Sequence, residues 1–357
     1  MAGELLHLDL SAHEDPFARG VAYAEGLGER LERTEVAYLA LFRDWAGVSE
    51  ERVLRFGAAL LESVAAWRPH LAREIEGIAH GGGRRPEVIA ALNGRTELVA
   101  GAECSTIARV STATHPLPVG TGPWLAQNWD WYLNAPERCV AITAEVDGHR
   151  FLTFTEAGVL AKIGINDRGL ALTLNILRHV KDAPDPTGTP VHLLLREVLA
   201  TCATTADVAA LLATVRPAAS SCFGVVTGAG EAAVFEVSPV GVARIDHDAR
   251  TGLLGHANHF VDATLATGDA VVERHDNSCA RMAGVLAAMP ATLAHARAAL
   301  SDPSGEHPVC RTGEPPRSPE LPSTGTAAVL LLDPGAATME VGMGPGGRDG
   351  WTSLRLS

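Results

Sequence analysis

Apolar positions follow two regimes along the chain. From Phe17 to Leu98 they recur every three or four residues, the period of a helix with one buried face. That pattern predicts a long helix over Phe17–Trp45, tolerant of Gly20, Gly26 and Gly28, and a second over Glu51–Trp67. A third opens at Pro69-His70 and ends at Gly81-Gly82-Gly83; a fourth starts at Pro86 and carries Val88, Ile89, Leu92 and Leu98. The glycine triplet reads as a helix stop, because a phosphate cradle would need a preceding strand and a Gly-Lys-Ser/Thr ending.

From Cys104 onward the runs are short, β-branched or alternating. They cover Ser105–Val110, Trp124–Asp130, Val140–Val146, Phe151–Thr155, Lys162–Asn166 and Leu170–Leu174, with turns such as Asp147-Gly148 between them. This predicts a meander of antiparallel hairpins. Thr189-Pro190 then opens a helix with Val191, Leu194, Leu195, Val198 and Leu199 on one face; Val208, Leu211, Leu212 and Val215 repeat the pattern. Strands return at Phe223–Thr227, Ala232–Val237 and Leu253–His256. Helices follow at Asn277–Ala288 and Thr292–Leu300, then a Pro/Gly/Ser-rich loop over 302–324 and a final hairpin within Ala327–Val341. Strands, two helices, then strands again imply an α+β fold with two antiparallel sheets layered between helices. No repeat or long linker divides the chain.

Composition narrows the function. With 357 residues and 46% hydrophobic content the chain can bury a large core. A net charge of −13 argues against nucleic-acid and anionic-membrane partners, which need clustered Lys/Arg. The first twenty residues hold Glu4, Asp9, Glu14 and Asp15 and no continuous apolar run, so neither a secretory signal nor a membrane span is expected, and a cytoplasmic location is. The six cysteines are scattered without a C-x-x-C pair, which favours small buried hydrophobes over a disulfide framework or zinc ribbon.

Cys104 differs because of its setting, in Gly101-Ala102-Glu103-Cys104-Ser105-Thr106, where the helical part gives way to strands. Freed at its own amino end, a cysteine carries a thiol nucleophile and a neighbouring amine that titrates near 8. Before cleavage the same thiol can attack the Glu103 carbonyl and pass through a thioester. Gln127-Asn128-Trp129-Asp130-Trp131 sets polar side chains among aromatics on the next strand, consistent with a lined pocket or a satisfied core network. In His256-Ala257-Asn258-His259-Phe260, the two histidines lack a third ligand at metal spacing, and Asn258 suits an oxyanion hole.

Taken together, these segments resemble the acyl-CoA:6-aminopenicillanic acid acyltransferase family of N-terminal-nucleophile hydrolases. The resemblance runs through Glu76-Gly77-Ile78-Ala79, Leu92-Asn93-Gly94-Arg95, Glu103-Cys104-Ser105-Thr106, Gln127–Trp131, Gly164–Leu170, Asn258-His259-Phe260, Ser278–Arg281, Cys310-Arg311 and Val329–Asp333. It implies a four-layer αββα sandwich, self-cleavage between Glu103 and Cys104, and Cys104 as the acyl-accepting nucleophile. Further implied are Asn258 as oxyanion donor, Asp130 near the new amino group, and Arg311 as a partner of Asp130 or of a substrate carboxylate. Gln127, Asn128, Trp129, Trp131, Asn175 and His259 are the candidate pocket. Two departures stand out. Glu103 occupies the place where the family's cleavage follows glycine, and Ser220-Ser221-Cys222-Phe223 stands where many relatives carry asparagine.

The expectation is a cysteine amidohydrolase or acyltransferase whose segments 1–103 and 104–357 stay associated as one structural domain. It would act on a small amide or acyl thioester, acyl-CoA or carrier-bound donors included, without cofactor or metal. Two rivals are an unprocessed binding or scaffold protein of the same fold, and a metal hydrolase using His256 and His259.

Overall fold

The computed structural model describes residues 5–99, 103–270, 275–316 and 322–357, with only the backbone of His275. Gly101 and Ala102, and residues 317–321 of the loop before the last hairpin, lie outside the described residues.

The helical part is built by capping and close approach. Asp15 caps α1 (Pro16–Leu27) by accepting from Ala18 N–H at 2.8 Å. Gly28, at φ 55°, then ends it, so the expected single helix over Phe17–Trp45 is two, with α2 at Arg30–Asp44. A left-handed residue cannot continue a helix. α3 (Glu50–Trp67), α4 (Pro69–Gly82), α5 (Pro86–Asn93) and α6 (Arg95–Leu98) follow. α1 lies directly on α4: a Cβ at Gly20 would sit 2.2 Å from the Glu74 carbonyl, and one at Gly77 2.2 Å from that of Phe17. These glycines are contact surfaces between helices.

The strands form two sheets. Beyond β1 (Leu6–Asp9), β2 is Glu103–Arg109, β3 Trp124–Tyr132, β4 Cys139–Val146, β5 His149–Glu156, β6 Ile163–Asn166 and β7 Leu170–Ile176. After α7 (Val191–Thr201) and α8 (Thr205–Leu212) come β8 (Ser221–Thr227), β9 (Ala232–Ser238), β10 (Gly241–Asp246) and β11 (Leu253–His256). Helices α9 (His275–Ala287) and α10 (Leu293–Leu300) precede β12 (Thr324–Asp333), β13 (Thr338–Met343) and β14 (Trp351–Arg355). The eight-stranded sheet has the order β1-β4-β5-β6-β7-β8-β9-β10, and the six-stranded sheet β11-β2-β3-β12-β13-β14. Among the described strands every pairing is antiparallel except β1 with β4.

β2 and β3 pack on β7 and β8 across the interior. α7 and α8 cover the outer face of the larger sheet, and α9 and α10 that of the smaller. This is the αββα arrangement expected from the sequence. One apolar core extends from Leu5 to Leu356, and a second lies under α9 and α10 around Ile107, Trp124 and Val285.

Buried charges tie the layers together. Glu74 on α4 accepts from Arg19 on α1 at 3.0 Å and from Arg196 on α7 at 3.2 Å. Glu97 on α6 accepts from Val191 N–H at 2.9 Å, while its second oxygen has no partner. Burial pushes the Glu97 carboxyl up to about 7. The folded state therefore favours its protonated form. The stability this contributes is complete below the ordinary carboxylate value and is lost as pH rises through about 7. Glu97→Gln keeps the acceptor without the charge. Urea unfolding should find variant and parent alike near pH 4, and the variant more stable at pH 8 by on the order of 1–3 kcal/mol. An identical pH dependence in both would contradict this assignment.

Candidate active site

Cys104 is the second residue of β2, buried, and registered opposite Trp129 of β3. Alternation along the strand turns Cys104, Thr106 and Ala108 toward the larger sheet and Glu103 and Ser105 toward α9. The backbone of Cys104 is bracketed. Its N–H donates to Asn258 Oδ1 at 2.7 Å, and its carbonyl accepts from Arg281 Nη1 at 2.7 Å. Arg281 also donates to Ser105 Oγ at 2.8 Å, to Asn258 Oδ1 at 3.0 Å and, through Nε, to Asn277 Oδ1 at 2.7 Å. Two donors on one atom fix the Asn258 amide: its oxygen faces the Cys104 N–H, and its Nδ2 donates to the Ile176 carbonyl at 2.9 Å.

The face toward α9 is a charge cluster. Glu103 Oε2 meets Arg311 Nη1 at 2.5 Å and Arg281 Nη2 at 3.6 Å. Asp130, across the ladder from Glu103, accepts from Thr326 Oγ1 at 2.7 Å. Its Oδ2 has no hydrogen-bond partner and stands 4.0 Å from Arg311 Nη1. Burial raises the Asp130 carboxyl to about 6, against the pull of Arg311 and Arg281. Burial likewise drives the Cys104 thiol up to about 12, with the Asp130 charge adding to the rise. The Asp130 backbone N–H, Arg281 and Lys162 oppose it without cancelling it. In the continuous chain this thiol is thus held protonated at neutral pH.

On the inner face, Lys162 Nζ sits 3.6 Å from the centre of the Trp129 ring and donates to Glu156 Oε2 at 2.8 Å. Arg95 approaches the same carboxylate at 3.1 Å, and the Tyr38 hydroxyl donates to it at 2.8 Å. Burial would raise Glu156, but Lys162, Arg95 and Arg138 hold it far below the carboxylate range. Lys162 is lowered by burial to about 8 despite the opposing pull of Glu156.

The loop carrying Asn258 is anchored by a buried pair. His256 Nε2 meets Glu236 Oε1 at 2.7 Å and Nδ1 meets the Ala257 carbonyl at 3.0 Å, so both ring nitrogens face acceptors. Burial disfavours the imidazolium, yet the Cys222 sulfur and the Glu236 carboxylate bring its pKa up to about 10. Glu236 further accepts from Val261 N–H at 2.6 Å and Asp262 N–H at 3.0 Å, closing the loop around Asn258. His259 Nδ1 pairs with Ser278 Oγ at 2.7 Å, and that hydroxyl accepts from Asn258 N–H at 2.7 Å. Among the described residues no group of three His, Cys, Asp or Glu could hold a metal ion.

The structure therefore brings Cys104, Asn258, Asp130, Arg311 and Glu103 into one cluster. It places the other candidates around that cluster. Gln127 Nε2 donates to the Leu174 carbonyl at 2.6 Å and to Asn175 Oδ1 at 3.1 Å, and Asn175 also accepts from Thr106 at 2.6 Å, forming a network between the sheets. Asn128 donates outward to the Leu300 and Val309 carbonyls. Trp129 and Trp131 are core residues. A cavity of about 600 Å³ opens one residue beyond Trp131, between α2 and the turn after Tyr132, lined by Val36, Leu41, Tyr132 and Arg138 among others. Arg281, Lys162, Glu156, Thr326 and Ser278 complete the site, and local sequence spacing assigns none of them a role.

The family model for acyl-coenzyme A:6-aminopenicillanic acid acyl-transferase matches residues 119–341. The 40 kDa form of that acyltransferase from Emericella nidulans is 30% identical over 251 residues, 70% of this chain. The match spans 64% of that protein's length, a little under two thirds. Among solved structures, penicillin V acylase from Agrobacterium tumefaciens is similar with a TM-score of 0.43 and 11% identity, over 67% of this chain and 83% of that one. The C2A mutant of conjugated bile acid hydrolase from Clostridium perfringens is similar with a TM-score of 0.44 and 12% identity, over 71% and 92%. No described helix is long and apolar enough to cross a membrane.

Proposed function

Because the chain belongs to the acyl-coenzyme A:6-aminopenicillanic acid acyl-transferase family, we propose that it is a self-processing cysteine amidohydrolase or acyltransferase with Cys104 as nucleophile. One observation carries this reading: the backbone of a single buried cysteine is gripped on both sides, at nitrogen by Asn258 and at carbonyl by Arg281. An ordinary core cysteine needs no such side-chain grip.

In the first step the thiol adds to the Glu103 carbonyl, the C–N bond breaks, and the proton moves to the departing nitrogen. Water then cleaves the thioester, leaving a carboxyl terminus at Glu103 and a free amine on Cys104. The amine, held by Asn258 Oδ1, titrates near the α-amino value and serves as base for the adjacent thiol. A substrate amide or thioester acylates the sulfur and releases its amine or thiol; water or an acceptor amine takes the acyl group. Asp130 and Arg311 supply the charged wall. Asn258 acts as oxyanion donor through Nδ2, exchanging its bond to Ile176.

The segments before and after the cut stay together through contacts such as Glu74–Arg196 and Glu97–Val191. Small amides and acyl thioesters, acyl-CoA or carrier-bound donors among them, are the substrate class. The direct test offers an activated acyl thioester and locates the mass increment by peptide mapping. An increment on the Cys104 peptide is expected; one elsewhere would overturn the assignment. Asn258→Ala should still be cut yet lose about 10²–10³ in kcat. An unchanged kcat would move the oxyanion role to another donor.

A further inference from the structure

We infer that the arginine pair holding Glu103 is the acyl-side recognition site, and that the preferred acyl group is a dicarboxylic one of glutaryl spacing. This rests on Cys104 being the nucleophile. The residue before the nucleophile is the enzyme's first acyl group, because the thiol must take its carbonyl to cut the chain. Here that residue is glutamate, whose carbonyl carbon and side-chain carboxylate span a five-carbon dicarboxylic skeleton. Its carboxylate meets Arg311 Nη1 at 2.5 Å and lies 3.6 Å from Arg281 Nη2, while Arg281 also holds the nucleophile's own carbonyl. Recognition of the carboxylate and placement of the reacting residue thus share one guanidinium.

Charge balance points the same way. Glu103 and Asp130 together offset Arg281 and Arg311, and all four are buried. Glu314, which pairs with the far edge of Arg311, is half exposed and screened by water. When cleavage lets Glu103 withdraw, the buried set keeps two cations against one carboxylate. A buried uncompensated charge is costly, so the opened site favours an anion in the vacated position. A neutral acyl chain would leave the guanidinium unpaired, the kind of loss that polar recognition sites convert into strong discrimination. In the reaction the glutaryl carbonyl forms a thioester with Cys104 as its leaving thiol departs. Water then releases glutarate and restores the thiol.

The test uses protein whose cleavage has been verified by mass, with glutaryl and pentanoyl thioesters of the same thiol as probes. The glutaryl thioester should acylate Cys104 with a kcat/KM about 100-fold above that of its uncharged counterpart. Arg311→Met should bring that ratio to within a few-fold of one. Should the variant fail to fold, the parent answers independently: free glutarate should slow alkylation of Cys104 where pentanoate does not. Equal rates for the two thioesters, with no protection by glutarate, would overturn the dicarboxylic preference and leave the nucleophile in place. Failure of both thioesters to acylate Cys104 would instead remove the nucleophile reading, and this inference with it.

Discussion

Cys104→Ala should leave the chain uncut and lower acyl-group turnover by about six orders of magnitude, the scale seen when a covalent nucleophile is deleted. The size of the loss follows from how much depends on one residue. In the proposed reaction its sulfur forms the acyl intermediate, and its nitrogen becomes the base only if the chain is cut there. Side chains hold Cys104 at both backbone groups, Asn258 at its N–H and Arg281 at its carbonyl, whereas Cys222 lies beside His256 and Glu236 and the Cys139 thiol donates to the Ala135 carbonyl. Product release, followed alongside the mass of the protein, reads both losses at once. An alanine variant that retains substantial turnover would remove Cys104 from the chemistry.

Glu156→Gln should destabilise the fold by about 3–5 kcal/mol, the usual consequence of taking one partner from a buried ion cluster. The carboxylate meets Lys162 at 2.8 Å, Arg95 at 3.1 Å and the Tyr38 hydroxyl at 2.8 Å, with almost no access to water. Without it, Lys162 and Arg95 remain buried and uncompensated. Because the folded carboxyl lies far below its ordinary value, its contribution is fully present above the unfolded carboxylate pKa. It is lost only as pH falls through the depressed folded value. Equilibrium urea unfolding at pH 7 measures the difference. A change below about 1 kcal/mol would mean that the cluster relaxes by admitting water. Lys162 also stacks on Trp129, opposite Cys104 in the ladder, so the variant is expected to slow acylation as well.

The layered α+β fold could be read from the sequence because its central strands and amphipathic helices carry strong periods. What escaped lies at the margins. β1, β10 and β14 are all edge strands, and in β1 and β10 inward and outward positions alternate in short polar runs. Such strands are specified by the neighbour they join more than by their own composition. The break at Gly28 escaped because a helical period continues on both sides of it; only the positive φ separates the helices. In the site, Cys104, Asn258, Asp130 and Arg311 were accessible through motifs. The role of Arg281 is hidden in the sequence, since it meets the Cys104 carbonyl from 177 positions away, a distance local spacing cannot bridge. Lys162 did leave a signal. It is one of only two lysines in the chain and sits within the apolar run Leu160-Ala161-Lys162-Ile163, where a charge implies a buried partner.

Whether Cys104 becomes an amino terminus is read from the intact mass of freshly purified protein. Apportioned by residue count, with 103 of 357 residues before the cut, the 37.4 kDa chain divides into pieces of roughly 11 and 26 kDa. Self-cleavage should give those two masses, with Cys104 leading the larger piece. A single mass near 37.4 kDa that persists through long incubation would contradict it, and would favour an uncut binding protein whose Glu103 stays locked between Arg281 and Arg311.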